Sequence, residues 1–247
     1  MIFRHLPFLE RLEKVKEAGV TAFEFWGWQN KDVDAIAKKK HELGLSVSSF
    51  GLNLRDFSLT KPDVGDEFES SIEETVQVAK KLDCHNLIGP VGLGQSVSRL
   101  SRRQQIKNAV ENLKGGAPLL EESRMTMLIE PVNLIDHKGC YLSRSSEAAY
   151  LIRGVGSQSV KMLFDFYHQQ ITEGNLINNV NKYFDLIGFF HIGDVPGRHE
   201  PGTGEINYRN IFRCIDDLGY KDYVSMEFMP TIDHVEAVRR TLRLASF

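Results

Sequence analysis

The chain has 247 residues, with 30 Lys and Arg against 33 Asp and Glu, a formal net charge of −3. Hydrophobic residues make up 42% and charged residues 26%, which excludes a disordered, collagen-like or disulfide-scaffold protein. The charge balance argues against a nucleic-acid partner, because the basic runs are no longer than Lys38-Lys39-Lys40 and Arg102-Arg103, which read as solvated helix faces.

No apolar run approaches the roughly 18–20 residues of a membrane span. The opening Met1-Ile2-Phe3-Arg4-His5 is too short and too polar for a secretory signal. The three cysteines, Cys84, Cys140 and Cys214, are widely spaced and form no CxxC pair, which suits buried thiols in a reducing compartment. A cytoplasmic protein without a membrane partner is expected.

In chain order, helical spacing covers 6–18, through Leu6, Leu9, Leu12 and Val15, and an apolar strand follows at 20–26. Helix 32–43 leads to strand 45–50, helix 66–82 to strand 86–91, and helix 101–122 to strand 125–130. Gly115-Gly116 is the expected break in the third of these helices. Helix 145–153 then precedes strand 161–165, helix 175–184 precedes strand 187–191, and helix 208–218 precedes strand 223–228. A last helix covers 233–244. Gly19, Gly44 and Gly219 stand just past helical runs, where a left-handed cap is wanted.

Strict alternation of helices with near-continuous apolar strands implies a parallel sheet covered by helices. The expected fold class is α/β, a (β/α)8 TIM barrel forming a single domain over 1–247. Seven strands are clear, so the first is either squeezed into residues 1–3 or missing. A doubly wound sheet would need a glycine-rich phosphate loop after a strand, and none stands there. The irregular stretches 51–65, 92–100, 132–144 and 193–207 each follow a strand, which puts them at the C-terminal mouth of a barrel.

Four consecutive strands end on Glu130, Asp165, His191 and Glu227, at intervals of 35, 26 and 36 residues. Neighbouring strands lie about 4.8 Å apart, so four such ends can aim at one point. A charge terminating an apolar strand is costly unless it is paired or binds a metal. One such residue reads as an ion-pair member or helix cap; four in succession read as a metal site. Three carboxylates and an imidazole suit Mn2+, Mg2+ or Co2+, with Zn2+ also compatible. On the same mouth lie His168, Asp136, His137 and the loop carrying Arg198. Arg198 can grip a carboxylate or vicinal oxygens, or else pair with Glu200 or Glu205. His199 reads as an exposed loop histidine. Trp26 and Trp28 read equally as pocket wall and as core.

The segments Ile129-Glu130-Pro131-Val132-Asn133, Phe164-Asp165-Phe166-Tyr167-His168, Phe190-His191-Ile192-Gly193 and Met226-Glu227-Phe228, with the run from Arg198 to Tyr208, resemble the xylose-isomerase-like barrel superfamily. Closer still, the chain is similar to the hydroxypyruvate isomerase and ketose 3-epimerase families, over nearly its whole length. The resemblance implies one divalent metal held by Glu130, Asp165, His191 and Glu227, with Glu130 and Glu227 as the acid/base pair. It implies substrate contacts from His168 and Arg198, and Asp136 closes the Glu-Pro-x-Asn-x-x-acid run that looks like the 3-epimerases. His191 stands where hydroxypyruvate isomerases often carry Gln, which is epimerase-like. The expected activity is proton transfer through an enediolate on a small hydroxy-keto acid or sugar. The alternatives are a ketose 3-epimerase, or an inosose-dehydratase- or decarboxylase-like lyase. An abasic-site endonuclease and a non-catalytic sugar binder on the same barrel fit the residues less well. Barrels of this kind commonly pair, so a homodimer is expected.

Overall fold

A computed structural model describes residues 1–53, 58–89, 91 and 100–246. Parts of the predicted loops 51–65 and 92–100, and the end of the predicted strand 86–91, lie outside the described residues.

The elements alternate as the hydrophobic pattern requires. They run α1 (Phe8–Ala18), β1 (Ala22–Phe25), α2 (Val33–Leu43), β2 (Ser46–Gly51), α3 (Gly65–Leu82), β3 (Asn86–Ile88), α4 (Arg102–Ser123), β4 (Thr126–Ile129), α5 (Ser145–Val155), β5 (Val160–Asp165), α6 (Phe166–Thr172), α7 (Leu176–Tyr183), β6 (Ile187–Ile192), α8 (Tyr208–Asp217), β7 (Val224–Met226) and α9 (His234–Ala245). All seven strands are parallel and each neighbours the next in sequence order, so the sheet curls into a TIM barrel wrapped by its helices. Gly19 and Gly44 cap α1 and α2 at φ 91° and 63°, a region closed to most side chains.

Strand alternation sorts the core into two layers. Met127, Ile129, Met162, Phe164 and Phe190 belong to the large buried cluster between sheet and helices. The residues between them, Ile88, Leu128, Leu163 and Phe189, form a separate buried cluster inside the ring. Each such side chain contributes about 1.5–3 kcal/mol by leaving water. Two residues further along three of these strands the same inner face carries Glu130, Asp165 and His191, so the polar group sits directly on an apolar floor.

Three expectations are corrected. Gly115-Gly116 does not break its helix: α4 runs unbroken from Arg102 to Ser123. A Cβ at Gly116 would lie 2.4 Å from Phe68 and 2.6 Å from Ile72, both fully buried on α3, so glycine there allows two helices to approach closely. An additional helix, α6, follows β5 immediately. Asp165 starts it by accepting from the Tyr167 N–H at 2.8 Å, which places His168 on its first turn. Glu130 and Glu227 stand one residue beyond β4 and β7, whereas Asp165 and His191 lie within their strands.

Residues 1–3 form no strand. Phe3 has φ 58° and donates its N–H to His234 Nδ1 at 2.8 Å, packing against Ala18, Val235 and Val238. Among the described residues β1 pairs only with β2, and β7 only with β6. A cavity of about 640 Å³ lies between their free edges, lined by Ala22–Phe25 from one and by residues 223–227 from the other.

Candidate metal and substrate site

Glu130, Asp165, His191 and Glu227 meet at the C-terminal mouth. One ligand atom from each lies within 4.8 Å of all the others, and all four residues are buried. An ion with ligands at about 2.0–2.3 Å needs donor atoms no more than about 4–5 Å apart. Glu130 Oε1 and His191 Nδ1 are buried without a hydrogen-bond partner. His191 Nδ1 is 2.9 Å from Glu227 Oε2, an ion-pair distance, but out of line for a hydrogen bond. Two orphaned acceptor-capable atoms facing one point are what a bound cation resolves. Three carboxyl groups against one guanidinium leave the centre rich in acidic groups, which a divalent cation offsets. The residues therefore fit the metal expected from their spacing.

Arg198 reaches in from the loop after β6. Its Nη2 donates to Asp165 Oδ2 at 2.7 Å and to Glu227 Oε2 at 2.5 Å, and its Nε donates to the Glu227 carbonyl. It pairs with neither Glu200 nor Glu205. The guanidinium stacks over the Tyr167 ring at 4.9 Å. The loop is shaped by Asp194, which is fully buried and accepts from the N–H groups of Val195, Gly202, Gly204 and Ile206 at 2.8–3.1 Å. His199 turns away, with Nδ1 2.8 Å from the Met229 carbonyl.

His168 is buried at the edge of the four. The Asn133 backbone N–H and side-chain amide face its Nδ1 at 3.3 and 2.7 Å. Both are donors, because Asn133 Oδ1 already accepts from the N–H groups of Ile135 and Asp136. Nδ1 therefore accepts, and the ring hydrogen sits on Nε2. That atom points into the centre, 3.6 Å from Asp165 Oδ2, 3.9 Å from Glu130 Oε1 and 3.2 Å from Arg198 Nη1. Burial holds His168 down at about 4, so the ring is neutral at neutral pH.

Asp136 stands further out. Burial raises it, but its Oδ2 accepts from Asn133 Nδ2 at 3.0 Å and from the Tyr167 hydroxyl at 2.7 Å, and these bonds with the nearby His168 and His137 together hold it below the ordinary value. It braces Asn133 and Tyr167 at the rim rather than joining the four. His137 is beside His168, with ring centroids 5.3 Å apart.

The two glutamates are driven apart. Burial, with Glu227 and Asp165 nearby, pushes Glu130 well above the usual carboxylate range. Burial also acts on Glu227, but His191 and Arg198 outweigh it and hold this carboxyl far below that range.

Three neighbours complete the site, and two of them, Tyr167 and Glu24, escaped the sequence reading. Trp26 Nε1 donates to Glu227 Oε1 at 3.1 Å, which settles this tryptophan as pocket wall. Tyr167 supports Arg198 and Asp136. Glu24, on β1, lies 2.9 Å from His191 Nε2. An acid between Phe23 and Phe25 was the available signal for it, since only one face of that strand can tolerate a carboxylate. Cys84 and Cys140 are buried free thiols pushed up by burial, to about 12 and about 11, and take no part. Among the described residues no helix is long and apolar enough to cross a membrane.

Comparison with known proteins places the chain in a family. The chain is 32% identical over 242 residues to the hydroxypyruvate isomerase of Escherichia coli (strain K12), covering 93% of this chain and 91% of that protein. A 121-residue stretch is 37% identical to the 2-oxo-tetronate isomerase of Cupriavidus necator, covering 49% of this chain and 46% of that one. Among solved structures, an AP endonuclease, family 2 protein from Brucella melitensis superposes with a TM-score of 0.91 at 27% identity, covering 98% of this chain and 95% of that one. D-psicose 3-epimerase from Clostridium cellulolyticum H10 superposes at 0.82 and 18% identity, covering 97% and 93%, and shares the fold. The xylose isomerase-like TIM barrel model matches residues 12–245, and the chain belongs to that family.

Proposed function

We propose that the chain isomerises a small hydroxy-keto acid of the hydroxypyruvate kind, by moving a proton next to a carbonyl. As a member of a family whose curated relatives are isomerases, it is an enzyme of the isomerase or epimerase class. The single observation that carries the mechanism is the convergence of Glu130, Asp165, His191 and Glu227 within 4.8 Å, with two of the donor atoms orphaned.

These four would hold one divalent ion, Mn2+, Mg2+ or Co2+. Such an ion polarises a substrate carbonyl as a Lewis acid, and so favours loss of the neighbouring proton. The remaining work falls to the side chains. Glu227, held ionised by His191 and Arg198, accepts the C–H proton. That proton returns to the neighbouring carbon, while Glu130 relays the hydroxyl proton from one substrate oxygen to the other. Two carboxyls flanking one reacting centre suit proton transfer of this kind. His168 Nε2–H and Arg198 Nη1 face each other at 3.2 Å. Two donors at that distance need an acceptor between them, and an enediolate or carboxylate oxygen of the substrate supplies it.

A 3-epimerase is the second reading, favoured by His191 where an isomerase often has Gln. The net charge of −3 and the small acid-rich centre speak for a sugar or keto acid over DNA. The test is turnover in D2O with added Mn2+, using hydroxypyruvate and D-psicose as separate substrates and mass spectrometry as readout. Isomerisation of hydroxypyruvate with deuterium entering the original carbonyl carbon of the product supports the first reading. Deuterium at a single inverted carbon of the ketose supports the second, and loss of water or CO2 overturns both. Glu130→Gln and Glu227→Gln should each fold and lose at least about 100-fold in kcat, in the range for a removed general acid or base. Near-wild-type turnover in both variants removes the acid/base assignment.

A further inference from the structure

His191 uses its two ring nitrogens on opposite sides. Nδ1 looks toward Glu130 and Glu227, and Nε2 looks across the ring to β1, where the Glu24 carboxylate lies 2.9 Å away. β6 and β1 are not neighbours in the sheet, so the contact spans the barrel interior. The fold sets Glu24 up for it. The β1–β2 register slips between Phe23 and Glu24, from Phe23 opposite Val47 to Glu24 opposite Ser49, which leaves Ser48 as an extra residue in β2. A bulge of this kind re-aims the side chains beside it. The Ser48 hydroxyl donates to the Phe23 carbonyl at 3.2 Å, and the Ser49 hydroxyl donates to Glu24 Oε2 at 3.0 Å. Phe23 and Phe25 take the other face, where both rings pack on Phe8. A buried strand has spent an irregularity and two serines on pointing one carboxylate at one imidazole nitrogen.

We propose that Glu24 is the positioning residue of His191: it takes the Nε2 hydrogen, so that the Nδ1 lone pair is presented to the cation held by Glu130, Asp165 and Glu227. A carboxylate on the far nitrogen fixes ring orientation and tautomer and raises the basicity of the coordinating nitrogen. This inference rests on the metal reading above.

The experiment uses full-length protein stripped with chelator and titrated with Mn2+ by calorimetry. Co2+ is then added to read the visible absorption bands that report ligand field. Wild type, Glu24→Gln, Ser49→Ala and Glu130→Gln are compared. The expected result is a 10- to 100-fold loss of Mn2+ affinity in Glu24→Gln with displaced Co2+ bands. Ser49→Ala keeps the carboxylate and loses its anchor, and a several-fold loss is expected. A purely structural ion pair would lower the melting temperature while leaving Mn2+ affinity within two-fold and the Co2+ bands unmoved, which overturns the proposal. Should Glu24→Gln not fold, unchanged affinity and bands in Ser49→Ala overturn it equally. If Glu130→Gln loses Mn2+ while both β1–β2 variants keep it, Glu24 has no such role and the metal reading stands. If wild type takes up no Mn2+, both fall together.

Discussion

Asn133 does its work without touching the four central donors. By presenting two donors to one nitrogen of His168, it decides which nitrogen carries the ring hydrogen, and so gives the pocket a donor where an unguided ring could offer an acceptor. Glu147 shows the same economy away from the site. Its Oε2 accepts from the N–H groups of Ser143 and Arg144 at 3.1 Å ahead of α5, and Oε1 pairs with Arg102. Half-burial would raise this carboxyl, but the Arg102 bond and the two backbone donors together hold it below the ordinary value. A depressed carboxylate contributes stability above its unfolded pKa of about 4.3, and that contribution disappears as the pH falls through the depressed folded value. Glu147→Gln should therefore cost about 1 kcal/mol at pH 7, and the gap from wild type should close below about pH 4. Urea melts at pH 7 and pH 3.5 measure both. An unchanged gap at the two values would show that the carboxylate charge contributes nothing there.

Helices α3 and α4 touch through glycine. Replacing Gly116 by alanine adds helix propensity of up to about 1 kcal/mol but drives a methyl into Phe68 and Ile72, which overpacking data put at about 1–3 kcal/mol. The expected net effect is a loss of up to about 3 kcal/mol in urea unfolding, with activity intact. A stabilised variant would mean that the rings can retreat. At this scale the sequence was legible wherever burial is periodic: seven strands and eight of the helices follow from spacing alone. The misread elements are those where local and tertiary preferences conflict. Gly115-Gly116 signals a break locally, but the contact with α3 requires glycine. α6 is only seven residues long and begins immediately after the last residue of a strand, too short for helical periodicity to register. The four strand-end residues were visible because a charge closing an apolar run is conspicuous. Glu24 was less conspicuous because it sits mid-strand, between Phe23 and Phe25, rather than closing an apolar run.

At the scale of the molecule, the ring is interrupted at one place among the described residues. β4 and β5 are paired on both sides, whereas β1 and β7 each offer an open edge to the 640 Å³ cavity. Local opening draws on such edges first. In hydrogen-exchange mass spectrometry, peptides covering 22–25 and 224–226 should exchange faster than those covering 126–129 and 160–165. Equal protection in all four would mean that the interruption has no energetic consequence. The sequence offered residues 1–3 as the place for a strand before the first helix. It could not reveal that Phe3 folds back onto α9 instead, because that depends on a contact with His234, 231 positions away.

Asp165 divides its two oxygens. One fastens the opening turn of α6, and the other holds the Arg198 guanidinium and faces the central point. Whatever settles at that point therefore pulls on the helix that carries His168 and Tyr167. Loading the pocket and setting the angle of its wall become one mechanical event, transmitted through a single carboxylate no wider than a few ångströms.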